Sequence, residues 1–406
     1  MRALRILPAA IALVFLLASC GGQAEPVIAS EVTTTAEIVT EPPTEPPTEP
    51  PTEPPTEPPT EMPTRPPAEP PAEPPTMPPV FPAQAVTIRL TFGGDCTLAY
   101  VNDEELDKWF PGKYEQSGSY TYPFDGIRHI FEQDDLTVVN FEGALTRTAA
   151  EDVGKKWRFR GLPEYAGILP ASSVEAAGLA NNHTPYDFYA QGFNDTKKYL
   201  REAGVAVFYE GSALVREIRG VQVVLVGCNA AYVDRERAAR GAVREIERHK
   251  RADNVVAAFM HWGTERSYAP DEWQSRTART LIDAGADLVV GHHSHTMQGI
   301  ERYKGRYIAY SLGNLAYGGN GLARDPETFL LNVTINAGNG QPPNLGIAAT
   351  PCYITSSEDR NRDGDLRNNY RPMVVTGPRA DALIALLLER SALLENGIAT
   401  VDIYGE

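Results

Sequence analysis

Seven histidines occur in the 406-residue chain, and five of them stand in short polar segments that follow apolar runs: His183, His261, His292, His293 and His295. Asp95, Asn140, Glu142, Asn181, Asn182 and Asn314 occupy comparable places. Three imidazoles within the four residues His292-His293-Ser294-His295 are rare outside metal sites. Together with the carboxylates and amide oxygens they form a mixed N/O donor set. That set suits a divalent transition metal (Zn, Mn or Fe, one or two ions) and not calcium or an all-thiolate site. Such an ion lowers the pKa of a bound water and polarises an oxygen to be attacked. Each piece alone has a plainer explanation. An Asp after a strand is commonly a turn former, Asn181-Asn182-His183 reads equally as a turn, and His261 beside Trp262 reads as a core residue. Only convergence would make them a site. His129 and His249 fall outside the pattern and read as surface histidines.

The elements that must bring these residues together alternate in type. Val86 to Phe92 has a period of two and is expected to stop at Gly93-Gly94-Asp95. Further strands are expected at Leu136–Val139, Val205–Tyr209, Val221–Val226, Val255–Met260, Leu288–Val290 and Tyr307–Tyr310. Helical patterns cover Phe188–Ala203, Asp271–Ala284 and Ala380–Leu394. Alternating strands and helices give an α/β class. In open α/β sheets ligands bind beyond the carboxyl ends of the strands, where loops carry residues from distant segments to one point.

Charge and cysteine content narrow the function. The net charge is −16. Residues 20–82 hold eleven Glu against one Arg, and the chain after them is mildly acidic. This excludes the basic footprint of nucleic-acid binding. None of Cys20, Cys96, Cys228 and Cys352 has zinc-knuckle spacing, and with Cys20 set aside three thiols allow at most one bridge. Asp359 to Gly364 resembles the start of a calcium loop, but Tyr370 stands where the closing Glu belongs, so calcium is discounted. Arg147, Arg158 and Arg160 could fork onto phosphate or carboxylate; surface charge on a loop is the equal alternative.

The first eighty residues read as an address and a spacer. Arg2 and Arg5 precede an apolar run from Ile6 to Leu17, too short to span a bilayer. It ends in Leu17-Ala18-Ser19-Cys20, which resembles a bacterial lipobox. The expectation is a signal peptide over 1–19 and a lipid on Cys20. Twenty of the 34 prolines lie between Pro42 and Pro82, in Glu-Pro-Pro-Thr repeats. Residues 20–82 are therefore expected to be a disordered, extended linker, followed by one domain over 83–406. Lipid anchoring would place that domain outside the cytoplasm, on the bacterial membrane.

Taken in order, Gly94-Asp95, Asn140-Phe141-Glu142, Asn181-Asn182-His183, His261-Trp262-Gly263, His292-His293-Ser294-His295 and Ser311-Leu312-Gly313-Asn314 resemble the CapA family of poly-γ-glutamate capsule synthesis proteins. That family is similar to the calcineurin-like metallophosphoesterases. The resemblance implies a four-layer α-β-β-α metallophosphatase-like sandwich. It implies metal ligation by Asp95, Glu142, Asn182, His261, His293 and His295, and a catalytic role for His183 at a leaving group. Asn140, His292 and Asn314 form a further candidate set, with His292 an alternative first imidazole. Thr97 replaces the second imidazole of the phosphoesterase Asp-x-His motif, and Cys96 has no role in it. The implied function is assistance in the synthesis, export or anchoring of a capsule polymer. The implied partners are an anionic cell-surface polymer or its synthesis complex. A metal-dependent hydrolase of a phosphoester or amide, and a non-catalytic binding module, remain the alternatives.

Overall fold

A computed structural model describes residues 81–101, 109–232 and 234–405. The expected signal peptide, the lipidation site Cys20 and the linker up to residue 80 lie outside the described residues. Two large sheets build the domain, with two-stranded pairs Leu322–Ala323 with Leu366–Arg367 and Ala144–Leu145 with Arg160–Gly161 beside them. The larger has nine strands. Its path runs Met373–Val374, Gln341–Tyr353, Glu327–Gly338, Val86–Thr97, Leu136–Phe141, Ala176–Gly178 and Ala206–Phe208. Asn314–Tyr317 adds beside Val86–Thr97, and Asp402–Ile403 beside Gln341–Tyr353. The smaller sheet has six strands: Ile300–Tyr303, Arg306–Ala309, Leu288–His292, Val255–His261, Val221–Asn229 and Leu214–Ile218.

Alternation along the strands sorts side chains to the two faces of each sheet. Ile88, Leu90, Phe92, Leu136 and Val138 of the large sheet meet Val223, Leu225, Ala257, Phe259, Leu288 and Val290 of the small one in a single buried core. The opposite face of the large sheet, with Val139, Phe141 and Ala177, packs against Phe110, Phe131, Ile168 and Leu200. The opposite face of the small sheet, with Val224, Val226, Val256 and Met260, packs under helices Arg235–His249 and Glu272–Asp283. The chain is thus an α/β sandwich of four layers, helix–sheet–sheet–helix. Helix Pro378–Ala392 adds Ala380, Leu383 and Leu387 to the core between the sheets. Helix Glu272–Asp283 starts on a reciprocal capping box between Asp271 and Gln274, which satisfies two of the amides a helix start leaves unpaired.

The first strand departs from expectation. It does not stop at Gly93 but continues to Thr97, with its pairing to Leu136–Phe141 shifting between Gly93 and Asp95. A Cβ on Gly94 would sit 2.0 Å from the carbonyl oxygen of Gly313, so only glycine lets the two backbones approach. That approach lets Asp95 N donate to Gly313 O at 2.9 Å and sets Asn314 level with Asp95. Several shorter elements and two long ones went unforeseen. In the long hairpin Glu327–Tyr353, Leu331 to Ala337 alternates apolar and polar and sends Leu331, Val333 and Ile335 into the core between the sheets, while the return strand Gln341–Tyr353 holds three prolines, which read as loop. Helix Arg235–His249 lies on the surface and buries only Ala239, Ala242 and Ile246.

Cys96, Cys228 and Cys352 are all buried and free, and burial pushes each thiol above its ordinary pKa. Thiolate is the reactive form. In a Cys20→Ser chain, a thiol reagent should find almost no reactive sulfur under native conditions and three in guanidinium. A fast-reacting native thiol, or fewer than three after unfolding without reductant, would contradict this.

Candidate metal centre

The donors stand at the carboxyl ends of parallel strands from both sheets. Asp95 and Asn140 are level with each other in the large sheet. Asn229, His261 and His292 form one row across the small sheet. Asn181 and Asn182 follow the short strand Ala176–Gly178. Asn181 fills the turn role: its side chain accepts from the amides of His183 and Thr184 and donates to Phe141 O. This frees Asn182 to point its Oδ1 at His261 Nε2, 2.6 Å away.

Glu142 is fully buried, and neither carboxylate oxygen has a hydrogen-bond partner. Its Oε1 lies 3.4 Å from His261 Nε2, and His261 Nε2 lies 3.1 Å from His293 Nδ1. Its Oε2 lies 4.0 Å from His295 Nδ1, which is 3.2 Å from Asp95 Oδ2 and 2.9 Å from Asn314 Oδ1. Two tripods result: Glu142, His261 and His293, and Asp95, Glu142 and His295, the donor atoms of each within 4.8 Å of one another. They share Glu142. The second candidate set also gathers here. Asn140 Nδ2 donates to Asp95 Oδ1 at 2.7 Å and lies 3.1 Å from His261 Nδ1. His292 Nδ1 is 3.4 Å from Asp95 Oδ1, with its ring 4.2 Å from Phe259 and neither nitrogen hydrogen-bonded.

The electrostatics are those of a crowded, dry pocket. Burial, reinforced by Asp95, raises the Glu142 carboxyl well above its usual range. Burial would raise Asp95 too, but the neighbouring His292 and His295 imidazoles outweigh it and hold that carboxyl low. Burial and the other imidazoles push His261 well down and His293 to about 4. Burial works against the His295 cation, yet Glu142 and Asp95 overcome it and lift His295 to about 10. Without a cation the cluster therefore holds protons more tightly than usual, on Glu142 and on His295. An unpaired buried carboxylate is costly, and two facing imidazole nitrogens can share only one proton. A divalent cation satisfies both shortages, so the residues fit such an ion. His293 and His295 hold the pose at left-handed φ values of 88° and 57°, conformations that non-glycine residues avoid.

Other expected residues take different places. Thr97, where an imidazole would stand, donates its hydroxyl to Glu142 O at 2.8 Å. Cys96 packs in the outer core and not toward the cluster. Arg147 pairs with Glu164, and Arg158 and Arg160 pair with Glu151 at 3.4 and 3.3 Å. His183 stands at the cleft side, its Nε2 4.0 Å from Glu142 Oε1. Its Nδ1 meets Asp187 Oδ2 at 2.8 Å, and its ring stacks on Phe159. Asp187 also accepts from Lys155 Nζ at 2.6 Å and from Phe159 N at 2.7 Å. Asp187, Lys155 and Glu265 stand at the site without belonging to any of the motifs. Asp187 stands four residues after His183, a spacing that could have found it. Nothing local marks Lys155 or Glu265.

The family described as "Bacterial capsule synthesis protein PGA_cap" matches residues 89–318. The chain is 26% identical over 248 residues to the PGA biosynthesis protein CapA of Bacillus subtilis, covering 56% of this chain. It is 31% identical over 273 residues to the capsule biosynthesis protein CapA of Bacillus anthracis, covering 59% of this chain. In each case it spans 65% of the relative, just under two thirds. A probable polyglutamine synthesis accessory protein of Mycobacterium tuberculosis is 30% identical over 210 residues, 45% of this chain and 55% of that protein.

If the cluster is balanced by a cation, adding Mn or Zn to metal-stripped protein should raise the melting temperature. An ion at a hundred times its Kd contributes about 2.7 kcal/mol. Glu142→Gln removes the carboxyl whose charged form burial disfavours. It should raise the stability of the stripped protein by about 1–3 kcal/mol and abolish most of the metal-induced rise. A stripped Glu142→Gln protein less stable than wild type would show the carboxylate satisfied without metal.

Proposed function

The chain belongs to the family of bacterial capsule synthesis proteins, and on that footing we propose that it serves the synthesis, export or anchoring of an anionic capsule polymer of the poly-γ-glutamate type, working through a divalent metal centre. The observation that supports the centre most is the pair of tripods sharing the buried, unpartnered Glu142. Glu142, His261 and His293, with Asn182 Oδ1 beside them, would hold one ion. Asp95, Glu142 and His295, with Asn314 Oδ1 beside them, would hold a second. Zn, Mn and Fe all suit these donors. The first set has two imidazoles and the second one, because Thr97 supplies none, so the first binds more tightly. Bound there, a metal supplies Lewis acidity and an activated water.

The chain's own groups suit turnover as well as binding. Asp187 fixes the His183 ring with its proton on Nδ1 and leaves Nε2 toward the cleft, where it can deliver or accept a proton at a departing atom. This dyad favours a second reading within the first, hydrolysis of a phosphoester or amide bond in the polymer or its precursor. The Leu17-Ala18-Ser19-Cys20 segment supports export and a lipid anchor, with the Pro-rich tract as a spacer. Its partners would be the polymer or its synthesis complex at the outer face of the membrane. Dual acylation gives stable anchoring where one chain alone is marginal.

Metal analysis of the purified chain should find up to two transition-metal ions, with His261→Ala or His293→Ala losing the tighter one. His183→Ala should keep the metal and lose about 10²–10⁴-fold of any phosphodiesterase or amidase turnover. A metal-free wild type under saturating Mn or Zn would refute the centre, and loss of metal in His183→Ala would make that residue a ligand. Separately, Cys20→Ala should move the protein from the membrane to the soluble fraction or leave an unprocessed precursor. Unchanged fractionation with an unchanged N-terminal mass would refute the anchor.

A further inference from the structure

Beside the metal centre lies a cleft of about 370 Å³. Trp157, Phe159 and Tyr317 make one wall. The Phe159 ring is 4.1 Å from His183, and the Tyr317 ring is 4.9 Å from His295. Trp157 is half exposed at the mouth. Four charged side chains also line the cleft: Glu265, Arg266, Arg324 and Asp325. Three of them are engaged. Glu265 accepts from the Tyr232 hydroxyl at 2.5 Å, Asp325 accepts from the Tyr268 hydroxyl, and Arg324 Nε lies 3.3 Å from Asp365 Oδ2. Arg266 forms no ion pair or side-chain hydrogen bond among the described residues. Its backbone is nonetheless pinned, with N donating to Ser294 O at 2.7 Å and φ at 63°. A left-handed arginine is uncommon and persists only where its surroundings impose it. Here the imposing contact is the segment that carries His293 and His295.

We propose that Arg266 is the anion anchor of a substrate subsite in this cleft, and that its ligand is a carboxylate-bearing chain whose carbons lie along the Trp157 wall. This rests on the reading of the metal centre as the working site for an anionic polymer. A guanidinium fork takes carboxylate or phosphate, and two features favour carboxylate. The lining carries as many carboxylates as guanidiniums, and Glu265 is next to Arg266. At the fork itself Glu265 offsets part of the positive charge, so a single carboxylate suits it better than a phosphate dianion, which the metal centre would draw instead. The aromatic wall also needs carbon to cover it, which a bare phosphate lacks. Glu265 adds an acceptor beside the anchor, suited to the N–H of an amide-linked chain with a carboxylate near each amide.

The test is calorimetric titration of the manganese-loaded full chain with a trimer of γ-linked glutamate, with metal content measured on every sample. Wild type should bind the trimer at least about tenfold more tightly than Arg266→Gln, the size of one charge-assisted contact. Arg266→Lys should fall between them, and Trp157→Ala should lose several-fold. The fully amidated trimer should bind wild type no better than the acid trimer binds Arg266→Gln. Equal binding of the acid trimer by wild type and Arg266→Gln would overturn the proposal, as would equal binding of the acid and amidated trimers. Tighter binding of a glycerol-phosphate trimer would overturn the carboxylate class. A metal-replete chain with Arg266-independent binding sinks the subsite alone. A metal-free chain that still binds the trimer through Arg266 sinks the metal reading alone.

Discussion

Two carboxylates, Asp95 and Glu142, are fully buried a few ångströms apart, and Glu142 has no hydrogen bond to either oxygen. Like charges in a dry pocket repel strongly, and in the absence of a cation they are offset by protons on His295 and on Glu142 itself, whose carboxyl is raised well above its usual range. Much of the local backbone is bent to create this situation and not to relieve it. The shifted pairing at Gly93–Asp95, the glycine-only contact of Gly94 with Gly313, and the left-handed His293 and His295 all deliver donors to one point. A protein selected only for stability would bury apolar side chains there. A site built to hold a cation needs unsatisfied lone pairs.

The cluster also joins the two sheets. Asp95, Asn140, Glu142 and Asn182 belong to the large sheet or its loops, and His261, His292, His293 and His295 to the small one. Their separations are therefore set by the core between the sheets. Phe259 shows the coupling most directly. It lies 6.4 Å from Phe92 and 5.3 Å from Phe208 of the large sheet, and 4.2 Å from the His292 ring. Close-packed interiors transmit small volume changes, so a change in this aromatic group would alter donor spacing without touching a donor. On the cleft side, Asp187 plays a similar joining role. It binds His183, Lys155 and the Phe159 amide, and so ties the segment bearing Trp157 to the histidine that faces the cleft.

The α/β class and the two-sheet sandwich were legible because each strand of the inner core keeps a strict alternation, as in Val86–Phe92, or a solid apolar run, as in Val255–Met260. The donors were legible because metal chemistry confines them to a few residue types placed after such runs. Helix Arg235–His249 was not, although it is amphipathic, because its buried face carries Ala239, Ala242 and Ile246, and alanines in a segment rich in Arg and Glu do not stand out as an apolar stripe. The hairpin Glu327–Tyr353 was legible only in its first half, where Leu331 to Ala337 alternates, because Pro342, Pro343 and Pro351 make its return strand read as loop. Strand continuation through Gly93-Gly94 was hidden because two glycines normally end a strand; here they serve a close backbone approach that only the fold reveals. Lys155, Glu265 and Arg266 lie in loops whose sequence carries no motif, and only their place around the cleft makes them notable.

Glu142 is the donor that both tripods share. Anomalous diffraction from crystals grown with Mn or Zn, recorded on both sides of the metal edge, tests it directly. The predicted result is metal density within coordination distance of Glu142, bordered by His261 and His293 and, at higher metal concentration, a second peak bordered by Asp95 and His295. Anomalous density elsewhere with Glu142 left bare, or no density under saturating metal, would contradict it.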